Sequence, residues 1–251
     1  MTERRAEVVW GRLAEHAAAA GRRVSVADVC AVAVQSAQLT GAWVTAARDG
    51  GPDFVLCVTD PVSERLAELQ LMLGEGPCYD VLASVAPVLA ADLDNEEASR
   101  RWPGFTSQAR QLGAAAIFAF PLTIGAIRAG VLGMFRSSPG PLPTGWLGDG
   151  LVLADAATVL LLDGLHDGAD GADGTGEPVL NGQSPDLVLH RAEIDQATGM
   201  LTVQLDIPAG AAFARLRAYA YAHDRRLADV ARDIVARRLR LHKEPERDGA
   251  P

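Results

Sequence analysis

A segment can only fold against a core if it carries side chains worth burying, and the stretch from Asp163 to Pro185 carries almost none. It opens Asp-Gly-Leu-His-Asp-Gly-Ala-Asp-Gly-Ala-Asp-Gly-Thr-Gly-Glu-Pro. Ordering so many glycines costs conformational entropy that such sparse apolar surface does not offset. The composition predicts a flexible linker over 166–184. The chain then divides into an N-terminal part of two pieces, a helix over 1–24 and a domain over 25–165, a C-terminal module over 185–241, and a tail over 242–251. A length of 251 residues suits two domains, and 49% hydrophobic with 22% charged residues is a globular composition.

Targeting and framework chemistry are read from what the text contains. Met1-Thr2-Glu3-Arg4-Arg5 leads into mixed polar and apolar residues without a secretory apolar core, and no long uncharged apolar run follows. The expectation is a cytoplasmic protein with no membrane partner. Three cysteines, Cys30, Cys57 and Cys78, are irregularly spaced, which argues against a disulfide framework or a four-cysteine zinc site. No Ser-His-Asp arrangement, paired-carboxylate pattern, phosphate-binding glycine loop or metal motif is found. The chain is therefore expected to have no catalytic residue, no metal site and no cofactor.

Charge is distributed unevenly. The formal net charge is -9, but residues 1–183 carry 12 basic and 22 acidic side chains, whereas 184–251 carry 11 basic and 10 acidic. Within 225–243 seven basic residues (Arg225, Arg226, Arg232, Arg237, Arg238, Arg240, Lys243) stand against Asp229 and Asp233. Phosphate contact depends on local rather than total charge. An acidic body with a basic C-terminal helix fits a sensor joined to a polyanion binder, although a solvated helix face would show the same charge.

The N-terminal text alternates helices and strands. A helix is expected over Glu3–Ala20, closed by Gly21, and another from a Ser25 cap to about Leu39. Ala42–Ala47 and Phe54–Thr59 read as a hairpin around Asp49-Gly50-Gly51-Pro52-Asp53. A helix follows Asp60-Pro61 and ends at Gly74. Pro87–Leu93 reads as a strand, Trp102–Leu112 as a helix, Ala114–Thr123 and Gly130–Arg136 as strands, and Thr144–Leu165 as a helix. Short links between strands favour an antiparallel sheet with helices on its faces, an α+β domain. Gly74-Glu75-Gly76-Pro77-Cys78-Tyr79-Asp80, Asp92-Leu93, Arg101-Trp102-Pro103, Gly113, Phe120-Pro121-Leu122 and Gly130-Val131-Leu132-Gly133, in this order, resemble the GAF domain. The resemblance implies an antiparallel-sheet sensor that encloses a small ligand or mediates dimer contacts. Some GAF proteins reduce methionine sulfoxide through cysteines, so Cys78 is a candidate thiol, with a small buried core residue as the plainer reading.

The C-terminal text is purely helical. Leu187, Arg191, Ile194, Thr198, Leu201 and Leu205 step by four and three, a heptad seam. Asp206-Ile207-Pro208 breaks it. Ala212, Phe213, Leu216 and Ala220 mark a second helix, and Leu227, Val230, Ala231 and Ile234 a third. Arg191-Ala-Glu-Ile-Asp-Gln-Ala-Thr-Gly-Met-Leu, Ala212-Phe213-Ala-Arg-Leu216-Arg217 and Leu227-Ala-Asp-Val230-Ala231 closely resemble the ANTAR family. The resemblance implies an all-α three-helix module that binds paired stem-loops in nascent RNA and prevents a terminator hairpin, commonly switched by dimerisation. Thr198 stands where many members have lysine, which removes one phosphate contact.

The expected partners are nascent RNA, a second copy of the chain, and a ligand or protein sensed by the first domain. Arg191, Gln196, Thr198, Gly199, Arg217, Tyr219, Arg225 and Arg226 are the expected RNA-binding residues, because RNA loops are read by stacking and by hydrogen bonds to splayed bases. The arginines at 237, 238 and 240 are set apart from that group. A glycine inside a helix costs about 1 kcal/mol relative to alanine, so Gly199 suggests close approach by a neighbouring helix or by RNA. Leu187, Ile194, Leu201 and Leu205 are the expected dimer seam, together with the helix over 144–165. Whole-chain alternatives are a DNA-binding regulator, a GAF-type thiol enzyme acting on free methionine sulfoxide, and an adaptor whose helices only dimerise.

Overall fold

The computed structural model describes residues 2–48, 51–170 and 185–242. Its elements run in order α1 (Thr2–Ala19), α2 (Val26–Ala37), β1 (Gly41–Arg48), β2 (Gly51–Val58), α3 (Pro61–Leu73), α4 (Pro77–Ser84), β3 (Val88–Ala90), α5 (Glu96–Arg101), α6 (Pro103–Gln111), β4 (Ala116–Ile124), β5 (Ile127–Arg136) and α7 (Trp146–Asp170). Three helices follow in the C-terminal part: α8 (Pro185–Leu205), α9 (Ala209–Ala222) and α10 (Leu227–Val235). The chain forms two compact units, Met1–Leu187 and Val188–Pro251.

In the first unit the five strands are ordered β2-β1-β5-β4-β3, every neighbouring pair antiparallel. Successive strand residues point to opposite faces, and here both faces are buried. Ala116, Phe118, Phe120 and Leu122 of β4 join a core with residues of α1, α2 and α7, including Leu13, Val29 and Leu153. Ile117 and Ala119 between them join a second core with Leu66, Val81, Trp102 and Phe105, contributed by α3 to α6 and their junctions. The unit is thus an antiparallel sheet between two helical layers, the α+β arrangement expected from its short strand connections.

Caps and glycines set the element boundaries. The Asp60 carboxylate accepts from Val62 N and Ser63 N at 2.9 Å, and Pro61 occupies the first turn, so α3 begins there. Gly74, at φ 74°, ends it. The Glu-Gly-Pro-Cys text then folds as a splice. Gly76 sits at φ 129°, where an added Cβ would lie 2.6 Å from Gln70 Cγ. Gln70 Oε1 accepts from Cys78 N at 2.8 Å, and Glu75 Oε1 accepts from Gly104 N and Phe105 N at 2.7 Å, capping α6 from a distance. Asp80 accepts from Arg101 Nε at 2.5 Å and Trp102 Nε1 at 3.0 Å. These polar residues of the signature therefore join α3, α4 and the α5–α6 corner.

Several boundaries differ from expectation. Helix α4 starts at Pro77, within text read only as a motif. The helix expected over Trp102–Leu112 is α6, Pro103–Gln111, and a further helix that was not expected, α5, precedes it. Asn95 caps α5 through a hydrogen bond from Ala98 N at 2.8 Å, and Trp102, at φ -137° and ψ 70°, leaves helical geometry because Pro103 follows. Strand β3 is shorter than Pro87–Leu93, and α7 runs to Asp170, so residues 166–170 of the expected linker are helical. The remainder, 171–184, lies outside the described residues, as does most of the tail.

One buried charge fastens α1 to α2. Asp28 is fully buried and accepts a forked pair from Arg22 (2.6 and 2.7 Å), with further bonds from His16 Nδ1 (2.6 Å), Ser25 N (2.8 Å) and Ser25 Oγ (3.0 Å). Burial alone would raise its pKa. The hydrogen bonds, Arg22 foremost, outweigh burial and hold it at about 2 against an ordinary 3.8. A folded value below the unfolded one means stability that is complete above 3.8 and is lost as pH falls through about 2. The difference is worth about 2 kcal/mol. Asp28→Asn is expected to destabilise the protein by about that amount at pH 7. The gap between the two proteins should narrow as pH falls from 4 to 2, as followed by denaturant melts.

Candidate nucleic-acid interface

The three C-terminal helices are separated by residues in left-handed geometry. Asp206 (φ 56°) ends α8, Pro208 caps α9, and Asp224 (φ 48°) turns the chain into α10, whose cap position is Arg226. Ala197, Leu201 and Leu205 of α8 are buried, as are Ala212, Leu216 and Ala220 of α9 and Leu227, Val230, Ala231 and Ile234 of α10. The three periodicities meet as one small core.

That core takes two residues of the expected dimer seam. Leu201 is 0% exposed and Leu205 3%, within a single chain, so neither offers a free face to a second copy. Leu187 is also buried and Ile194 is half-buried. An outward apolar stripe is found on α7 instead, where Leu147, Leu151 and Val159 are exposed at near-helical spacing, with Val8 exposed on α1.

Ion pairs link the helices on the polar side. Arg232 of α10 reaches Glu193 of α8 at 2.9 Å and Asp229 at 3.1 Å. Asp233 holds two arginines, Arg225 at 2.6 Å and Arg238 at 2.7 Å. Those contacts, Arg225 first, lower the pKa of Asp233, and the same bond raises that of Arg225. Much of the basic cluster visible in the sequence is therefore neutralised inside the unit.

The expected RNA-binding residues are scattered over all three helices. Gln196 and Gly199 are exposed on α8, three residues apart on one face. Thr198 is half-buried and donates to the Ile194 carbonyl at 2.8 Å, which occupies its proton locally. Arg191 is half-buried, 3.7 Å from Asp195. On α9, Arg217 lies 5.7 Å from the Phe213 ring centroid, and Tyr219 stacks on His223 at 3.9 Å with planes 19° apart. Arg226 is half-buried at the α10 cap, and Arg225 is engaged as above. A Cβ at Gly199 would meet nothing within 4 Å, so no helix among the described residues presses against it. Sequence reasoning also set aside Arg237 and Arg240, which are exposed. Position in the text carried no signal for them, since Arg238 between them pairs with Asp233.

In the first unit all three cysteines are buried. Cys78 is 1% exposed, and burial pushes its thiol up to about 12. Cys30 and Cys57 are buried with sulfurs 2.9 Å apart. Trp43 Nε1 faces the Cys78 thiol, and Thr45 Oγ1 is buried without a hydrogen-bond partner among the described residues. A recess of about 230 Å³ lies between β3 and α5, lined by Leu89, Asp92, Asn95, Arg101 and Trp102 among others.

The described residues thus form an antiparallel-sheet α+β unit followed by a three-helix unit with a basic end. Residues 188–235 match the family model described as the ANTAR domain, spanning nearly all of α8, α9 and α10. Solved structures similar to the chain include a domain of a two-component sensor histidine kinase protein from Sinorhizobium meliloti 1021 (15% identity, 57% of this chain and 93% of that one, TM-score 0.45). Another is the GAF domain region of a membrane protein from Geobacter sulfurreducens PCA (14% identity, 53% and 90%, TM-score 0.41). SdiA of Escherichia coli aligns at 14% identity over 88% and 94%, with a TM-score of 0.38. No curated protein matches the sequence. No helix among the described residues is long and apolar enough to cross a membrane.

Two substitutions on α8 separate core from surface. Leu201→Asp should cost at least about 3 kcal/mol by placing a charge in the small core, and so melt the helical unit rather than merely dissociate a dimer. A folded, monomeric variant by circular dichroism and sedimentation would instead restore the seam. Gly199→Ala should raise helix stability by about 1 kcal/mol, since the methyl enters open space, read as a higher Tm of the C-terminal transition.

Proposed function

We propose that this protein is a signal-responsive RNA-binding transcription antiterminator, in which the first unit senses a ligand or partner and a dimer of the second binds paired stem-loops in nascent RNA. The ANTAR match over 188–235 carries the reading. Three further observations support it. Exposed arginines lie in the C-terminal unit, the acidic charge is concentrated in the first, and a recess of about 230 Å³ between β3 and α5 of the first offers a ligand polar side chains, Asp92, Asn95 and Arg101. The exposed stripe on α7 is the surface best suited to assembly. Protonated, buried Cys78 is a poor nucleophile, which weighs against the thiol-enzyme alternative.

The full chain is expected to bind RNA carrying two adjacent small-loop hairpins more tightly than unstructured RNA of equal length or duplex DNA. Affinity should fall with salt as phosphate contacts release counterions. Arg217→Ala should lose about 1–3 kcal/mol of that binding with Tm unchanged, and lysine should not fully rescue it, because it lacks the planar fork. Gel shifts showing equal binding to unstructured RNA would remove the stem-loop reading, and tighter duplex DNA binding would favour a DNA-binding regulator.

A further inference from the structure

The seven basic side chains near the C-terminus do not share one fate. Arg225, Arg232 and Arg238 are held by Asp233, Asp229 and Glu193. Arg237 and Arg240 are exposed, and among the described residues neither makes an ion pair or a side-chain hydrogen bond. The geometry just past α10 separates the two groups. Arg237 adopts φ 58°, and Arg238 N and Leu239 N both donate to the Asp233 carbonyl, at 2.8 and 3.1 Å. The chain thus folds back over the helix end. Gln204 Nε2 of α8 then donates to the Leu241 carbonyl at 2.5 Å, tying the returning segment to the neighbouring helix.

This closure builds a groove of about 590 Å³ between α8 and the returning segment. Met200, Val203 and Leu239 provide apolar walls, Gly199 leaves one side open, and Arg237 and Arg240 stand on its lining. Val203 is 84% exposed, so its apolar side chain is open to an occupant of the groove. The volume is in the range of sites that take a small organic ligand. Apolar walls with two unpaired guanidiniums suit an occupant with a flat apolar part and adjacent anionic groups, which is the chemistry of a nucleotide.

We propose that this groove takes an unpaired nucleotide of an RNA loop, its base against Met200, Val203 and Leu239 and its flanking phosphates at Arg237 and Arg240. The proposal rests on the RNA-binding reading and assigns that reading a surface that includes only Gly199 of the residues expected from sequence. It gives the exposed glycine a physical role: a side chain there would narrow the open side through which the base enters.

The test uses the full chain and RNA hairpins selected by it from a library randomised in the loop, with binding followed by fluorescence anisotropy between 50 and 200 mM salt. Arg237→Gln/Arg240→Gln should weaken binding at least about tenfold and reduce the slope of log affinity against log salt by about 2, one for each lost phosphate contact. Val203→Glu, at an exposed position, should weaken binding similarly, and Tm should be unchanged in both. Variants that bind like the unaltered chain overturn the groove while leaving RNA binding in place. Variants that lose dimer in sedimentation but keep RNA affinity assign the groove to a second copy and also overturn it. If the unaltered chain selects no RNA, both the function and the groove fall together.

Discussion

The first unit depends on a sheet whose central strands have no solvent face. Phe118 and Phe120 point into one core, and Ile117 and Ala119, alternating with them, into another. A strand buried on both sides requires a helical layer over each, which is why α1, α2 and α7 lie opposite α3 to α6. The close packing also dictates small residues at particular places. Gly133 of β5 lies where any Cβ would collide with the Trp43 indole, so the glycine and the tryptophan occupy one volume between them. The Asp28 cluster and the Glu75 and Asp80 bonds then fix the covering layers at their corners.

Much of this was legible from the text. Asp60-Pro61, Gly74 and Ser25 announce helix ends through capping chemistry that acts within a few residues, and the hairpin through Gly51 and the α7 periodicity are equally local. The missed elements depend on distant partners. Helix α4 is short and begins beside a glycine at φ 129° that a motif reading passes over. Helix α5 is only six residues long and was not expected, and the cap of α6 comes from Glu75 across the fold.

The C-terminal unit shows where periodicity is ambiguous. Leu201 and Leu205 fit a seam between two chains and a core within one equally well, because both demand apolar residues at steps of three and four. Burial in the folded monomer decides for the core. Charge was similarly under-determined: seven basic residues within 225–243 say nothing about pairing, whereas Asp233 holds Arg225 and Arg238 while Arg237 and Arg240 are exposed. The expected sites concentrated on the middle of the module, and the unpaired charge lies at its edge.

Helix α8 has a further property that follows from its middle turns. Thr198 and Thr202 each direct a hydroxyl to the carbonyl four residues back, at 2.8 and 3.0 Å, and Gly199 between them lacks a side chain to shield its backbone. Both features loosen helical hydrogen bonding, the first by competing for carbonyl lone pairs and the second by admitting water. The helix is therefore weakest near its centre rather than only at its ends. Its amide hydrogens should exchange with solvent in a profile that dips between Ile194 and Val203. A molecule held along that face would gain the ability to straighten or bend the rod it grips.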